Sequence, residues 1–143
     1  MKRIYEEGAR GYLRRHGVLD PGKITEIVGG FDFGRAVYEQ LLAPGDELFQ
    51  FIRKPSVATP SSFAGNWFAL VGATTSGLAI TDGVGGRRLH KFRVVAGLVA
   101  LEGTAARKGV NWDWAGGGVG GATQIYIPPS LIGHLQAIGA HEW

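Results

Sequence analysis

The chain has 143 residues, 45% hydrophobic and 19% charged, a composition that suits one folded domain with a core and excludes a disordered segment. It has no cysteine and no apolar run of about 18 residues, so disulfide scaffolds, thiolate metal sites and a spanning helix are excluded. The formal charge of +3 suits an anionic ligand such as a nucleotide, but no Lys/Arg run of about five or more marks a nucleic-acid track.

Met1-Lys2-Arg3 is not followed by an apolar signal core, so no secretory signal is visible. Residues 1–19 read as a helix, with Ile4, Tyr5, Tyr12 and Leu13 at helical spacing and Gly17 as its stop. Asp20-Pro21-Gly22 is a turn signal. A second helix is predicted from Pro21, with Ile24, Ile27 and Val28 on one face and Gly29-Gly30 at its end. The spacing of Phe33, Ala36, Val37, Gln40 and Leu41 predicts a third helix over Phe31–Leu42, closed by Ala43-Pro44-Gly45-Asp46. Residues 1–44 would then form a helical cap or lead-in to a β-rich core at 45–143, both within a single domain.

At Glu47 the period changes. Leu48–Arg53 is strand-like and ends at Lys54-Pro55, and a Ser/Thr/Pro-rich loop covers Ser56–Ser62. Gly65–Val71 is a second strand, followed by a glycine- and threonine-rich stretch over 72–86. Leu89–Val95 alternates apolar and polar residues as a half-buried strand does. Leu98–Gly103 is another strand, expected to pair with it across Ala96-Gly97. Gln124–Ile127 reads as the last strand, and a short helix from Pro129 through Ile138 ends before Gly139. The sequence contains no internal repeat. The expected fold is α+β: helices first, then a mostly antiparallel sheet.

The stretch Ala115–Pro128 is the most suggestive of a ligand. A loop containing Gly116, Gly117, Gly118, Gly120 and Gly121 runs into a strand, with the lone amide of Gln124 at the junction. Glycines allow close approach of backbone to ligand, although a long hairpin connection would look the same. The loop precedes a strand, not a helix, which excludes a dinucleotide-binding βαβ unit. No phosphate-binding Gly-Lys-Ser/Thr loop and no Gly-x-Ser-x-Gly elbow occur.

Arg53 ends an apolar strand, where a guanidinium can hold phosphate or ribose, or simply lie over the sheet edge. Trp67 and Phe68 point to opposite faces of their strand, so at most one lines a given pocket and either can be core. His90 shares a strand face with Phe92 and Val94 and reads either as a packed or as a functional histidine. His16, His134 and His141 show no ligand spacing with it, so no metal site is expected. Glu102 and Asp113 lack the spacing of a two-carboxylate glycosidase.

Taken in order, Arg53-Lys54-Pro55, Leu89-His90-Lys91-Phe92-Arg93-Val94, the glycines of 116–121 with Ala122-Thr123-Gln124-Ile125-Tyr126, and Pro128-Pro129-Ser130 form a recognisable series. The series resembles the C-terminal toxin domains of the ADP-ribosyltransferase-like superfamily, most nearly the tuberculosis necrotizing toxin family of NAD glycohydrolases. The resemblance covers roughly residues 45–139, and only the last motif is specific. Here Ala122 stands where that family has glycine, and Ile125 intervenes before Tyr126. Bacterial ADP-ribosyltransferase toxins fit the Ser56–Ser62 loop and the Trp67-Phe68 strand about as well.

The resemblance implies a split-sheet fold of ADP-ribosyltransferase-like type and cleavage of the nicotinamide–ribose bond of NAD or NADP, taken as substrate with no separate cofactor and no metal. It implies that Arg53 grips the diphosphate or the nicotinamide ribose, that Trp67 or Phe68 stacks on nicotinamide, and that His90 positions ribose or phosphates. It further implies that Gln124 bonds the nicotinamide ribose and orients the attacking group, while Gly120, Gly121 and Thr123 let backbone donors approach. Glutamine cannot act as a base, which favours water as the acceptor over a protein target. A mono-ADP-ribosyltransferase and a catalytically inert binding module remain the alternatives. A toxin of this type would act in interbacterial competition, enter a target cell as the C-terminal part of a larger protein, and be neutralised by a cognate immunity protein.

Overall fold

The computed structural model describes residues 2–53, 66–70, 87–105 and 123–140. Two helices open the chain, α1 (Lys2–Arg15) and α2 (Pro21–Val28), and both follow the sequence reading. Arg14 and Arg15 lie in the last turn of α1, where cations complement the helix dipole. Gly17, at φ 87°, then turns the chain, with Gly17 N–H donating to the Arg14 carbonyl and Val18 N–H to that of Leu13. That pair of bonds closes the helix end, and the left-handed conformation favours glycine there. Asp20 caps α2 by accepting from the Lys23 N–H at 2.8 Å, and Pro21 occupies the first turn.

The third helix expected over Phe31–Leu42 does not form. Phe31 bridges Ala105, Asp32 N–H donates to the Thr104 carbonyl, and the Asp32 side chain accepts from Gly34 N–H at 2.9 Å. These bonds divert backbone groups that a helix would use, and side chain to backbone turns of this kind compete with helix. Tyr38–Leu42 is instead an edge strand, β1. The helical lead-in therefore stops short of residue 44, and its last residues belong to the sheet.

Six further strands follow: β2 (Glu47–Arg53), β3 (Trp67–Ala69), β4 (Arg87–Val94), β5 (Leu98–Thr104), β6 (Thr123–Tyr126) and β7 (Leu135–Ala140). They form one sheet in the order β1-β5-β6-β3-β2-β4-β7, and every described pairing is antiparallel. The fold is thus α+β with a mostly antiparallel sheet, as the sequence suggests. β4 and β5 do not form the expected hairpin: β4 lies between β2 and β7, and β5 between β1 and β6. The backbone around Val94 is engaged elsewhere, with Gly45 and Asp46 at Val94 and with His134 at Val95. The C-terminal helix expected through Ile138 is a 3-10 turn over Pro129–His134 that leads into β7, so β6 is not the last strand. From Leu135 on the backbone pairs with β4, from Val94↔Leu135 to His90↔Ala140, instead of continuing a helix, and Gly139, at φ 110°, sits within β7 opposite Lys91.

Each face of the sheet has its own core. On one, α1 and α2 bring Tyr12, Leu13, Ile24, Ile27 and Val28 against Phe31, Leu101 and Tyr126, with Trp67 packed alongside. Tyr12 reaches across this face to donate its hydroxyl to the Val99 carbonyl at 2.6 Å. The other face buries Leu48, Phe68, Phe92, Val94, Ile125 and Ile127 under residues of the 3-10 turn. Ser130 of that turn donates to the His16 carbonyl at 3.1 Å, which ties it back to the end of α1.

Candidate functional site

Among the described residues, the seam between β3 and β2 shows the register pair Phe49↔Ala69, and β2 pairs with β4 over seven residues from Glu47↔Arg93 to Arg53↔Arg87. Beside the seam, the register sets Gly103, Gln124, Ala69, Phe49 and Lys91 in one row across five strands. Neighbouring strands lie about 4.8 Å apart, so Gln124 and Lys91 stand roughly 14 Å from each other along this row.

Gln124 is buried, 6% exposed, on the face covered by the helices. Alternation along β6 places it with Tyr126 and opposite Ile125, which belongs to the other core. Its Nε2 donates to the carbonyl of Gly30, just beyond α2. Gly30 is itself confined, because a Cβ there would lie 2.9 Å from two ring atoms of Trp67. Trp67 in turn stacks at an angle between Phe31 and Tyr126, with ring centroids 5.1 Å away on each side. Burial pushes the Tyr126 hydroxyl up to about 12.

The structure brings Trp67 and Gln124 to the same face and separates others. Phe68 is on the opposite face, in edge-to-face contact with Phe92 at 5.4 Å, so the expected divergence of Trp67 and Phe68 holds. His90 also belongs to that opposite face, 6% exposed and in register with Gln50, with the sheet between it and Gln124. Thr123 begins β6, is exposed, and stands on the Ile125 side. Arg53 ends β2 in register with Arg87, four residues past Phe49. That is roughly 13 Å along the strand from the Gln124 row. Gly120 and Gly121 lie outside the described residues.

Two groups escaped the sequence reading. Gln50 is buried, and its amide donates to the Trp67 carbonyl at 3.0 Å, linking β2 to β3 by a side chain. A polar amide between Phe49 and Phe51 in an otherwise apolar strand was the available signal. The Gly30 carbonyl had no such signal, because Gly29-Gly30 reads simply as a helix end. At the far end of the row, Glu47 accepts from Lys91 at 3.0 Å and lies 3.6 Å from Arg93. The hydrogen bond from Lys91 holds the Glu47 carboxyl below its ordinary value.

No protein-family model matches the chain, and no curated protein sequence matches it. Among solved structures, Tse6 in complex with Tsi6 is similar at a TM-score of 0.74 and 23% identity, covering 96% of each chain. Rhs1-CT in complex with its cognate immunity protein RhsI1 is similar at a TM-score of 0.51 and 19% identity, covering 79% of this chain and 83% of that one. At these identities the likeness concerns the fold. No described helix is long and apolar enough to cross a membrane.

Proposed function

We propose that this chain is a toxin domain that cleaves the nicotinamide–ribose bond of NAD or NADP with water as acceptor. The observation that carries the reading is Gln124, a neutral amide buried on β6, an interior strand of the sheet. Support comes from the resemblance of the Ala122–Tyr126 motif to NAD glycohydrolases of the tuberculosis necrotizing toxin type. The likeness of fold to Rhs1-CT, whose solved complex contains a cognate immunity protein, supports a toxin and an immunity partner for this chain too. Delivery into a target cell, as part of a larger protein, follows from the same reading.

In this reaction the C–N bond to nicotinamide breaks with its electron pair leaving on the pyridine nitrogen. The ribose passes through an oxocarbenium-like state, and water adds to the anomeric carbon and releases a proton to solvent. An enzyme gains most by orienting the ribose and stabilising charge that develops only in the transition state. Gln124 would hold a ribose hydroxyl and orient water, Trp67 would support the nicotinamide end, and Arg53 would contact the phosphates. His90, on the opposite face, would act on this site only through the packing of β2 and β4. A neutral amide cannot take a proton from a protein nucleophile, which is why water is preferred as acceptor.

Incubation of the purified protein with NAD, following free nicotinamide and ADP-ribose, tests the reading. Release of both, lost in Gln124→Ala with the fold retained, is the expected result. Release that requires lysate and labels a protein band would replace it with a mono-ADP-ribosyltransferase. Binding of NAD without turnover would replace it with an inert module.

A further inference from the structure

We infer that the Gly30 carbonyl is a positioning group that dictates glutamine over glutamate at position 124 and fixes which end of that amide meets the ligand. The inference takes its chemistry from the glycohydrolase reading, while the tether itself stands on geometry. A backbone carbonyl only accepts hydrogen bonds, so the Gln124 atom facing it must be the nitrogen, as found. An amide turned the other way would set two acceptors against each other in a buried place. The nitrogen is therefore anchored toward Gly30, and the oxygen is turned away from it.

The anchor does not drift easily. Gly30 N–H donates to the Ile27 carbonyl and Phe31 N–H to that of Val28, so the end of α2 holds both neighbouring peptides. Phe31 is bridged to Ala105 on the far side, and the Trp67 ring closes over Gly30 with no room for a Cβ. The Gly29-Gly30 elbow thus has a purpose beyond ending a helix: it brings a backbone acceptor to the centre of the sheet. A carboxylate at position 124 would face this carbonyl with no proton to give. That makes the glutamate used by many transferases incompatible with this backbone. Protonated, however, the same carboxyl would donate to Gly30 and present its carbonyl oxygen as glutamine does.

The decisive variant is Gln124→Glu, compared with wild type across pH. The introduced carboxyl would have a raised pKa in the folded protein. The folded state would then hold a proton that the unfolded chain releases, and relative stability would fall as pH rises. We expect its Tm to lie about 5 °C or more below wild type at pH 7, with the gap closing toward pH 4. A gap absent at pH 7, or equal at both pH values, overturns the tether. Should the variant not fold, exchange of the Gln124 side-chain amide protons in 15N-labelled wild type decides: one protected proton supports the tether, and rapid exchange of both overturns it.

Turnover separates positioning from mere structure. The protonated fraction of a carboxyl titrating below the working pH rises about tenfold for each unit of acidification. Relative to wild type, NAD cleavage by Gln124→Glu should therefore recover about tenfold or more between pH 7 and pH 5. A flat ratio with the stability pattern intact would make the tether structural and overturn the positioning role. Failure of wild type to cleave NAD would instead strike the glycohydrolase reading, with the tether still decided by the Tm and exchange measurements.

Discussion

Replacing Gly103 with alanine adds one methyl group at a point where the sheet has no space for it. Gly103 is the β5 neighbour of Gln124, and its open side receives the aromatic lid of the helical face. An ideal Cβ there would lie 2.8 Å from Cδ1 of Phe31 and 2.9 Å from Cγ2 of Val37. Comfortable carbon–carbon contact needs about 3.5–4.0 Å, so both side chains must retreat by roughly 0.6 Å or more. Phe31 is poorly placed to do so, held by the Ala105 bridge and packed against Trp67 and Phe33. Overpacking of this kind costs about 1–3 kcal/mol. The stiffer unfolded chain returns about 0.4–1 kcal/mol. Taking the middle of each range, a net loss of about 1.3 kcal/mol remains, which for a domain of this length lowers Tm by roughly 3–6 °C. Thermal and urea unfolding followed by Trp fluorescence would measure it. Gly8→Ala serves as comparator, since Gly8 is in α1 with nothing within 4 Å of an added Cβ. That variant should gain about 0.5–1 kcal/mol. A Gly103→Ala protein as stable as wild type would refute the claim that packing on the helical face is already full.

Asp20→Ala removes the cap bonded to the Lys23 N–H and should cost about 1 kcal/mol in urea unfolding, with Asp20→Asn largely retaining stability. In alkali, Tyr126 ionises near 10 when unfolded and at about 12 when folded. Over that interval the folded protein keeps a proton that the unfolded chain has lost, so stability should fall as pH rises from about 10 to about 12. Tyr126→Phe should flatten this part of the pH–stability curve, and an unchanged slope would show that the tyrosine is not the source. Tyr12 is raised in the same direction, mainly by burial, so Tyr12→Phe should reduce alkaline sensitivity as well as losing the bond to Val99.

The local elements were legible along the chain, because their signals are contained within a few residues. Asp20-Pro21 starts α2, Gly17 ends α1, and the alternation from Leu89 to Val95 makes β4, because caps, left-handed glycines and period-two burial act over one turn or one strand. The sequence also marked Gln124 as a polar side chain at the head of an apolar strand. It misjudged Phe31–Leu42, where helical spacing of apolar residues was real but the backbone bonds went to β5 and to the Asp32 turn. Pairing of β4 with β5 and a helix through Ile138 failed for a related reason.

Strand order and face are properties of partners distant in the chain. Local pattern reports which residues of a strand share a side; it does not report which side of the assembled sheet that is. Only the register, running from Gln124 through Ala69 and Phe49 to Lys91, puts His90 on the opposite face. Only the packing of α2 against the sheet brings the Gly30 carbonyl, 94 residues away in sequence, to the amide whose orientation it sets. A hydrogen bond between groups so far apart leaves no trace in local composition, so the tertiary structure alone decided how the candidate site is assembled.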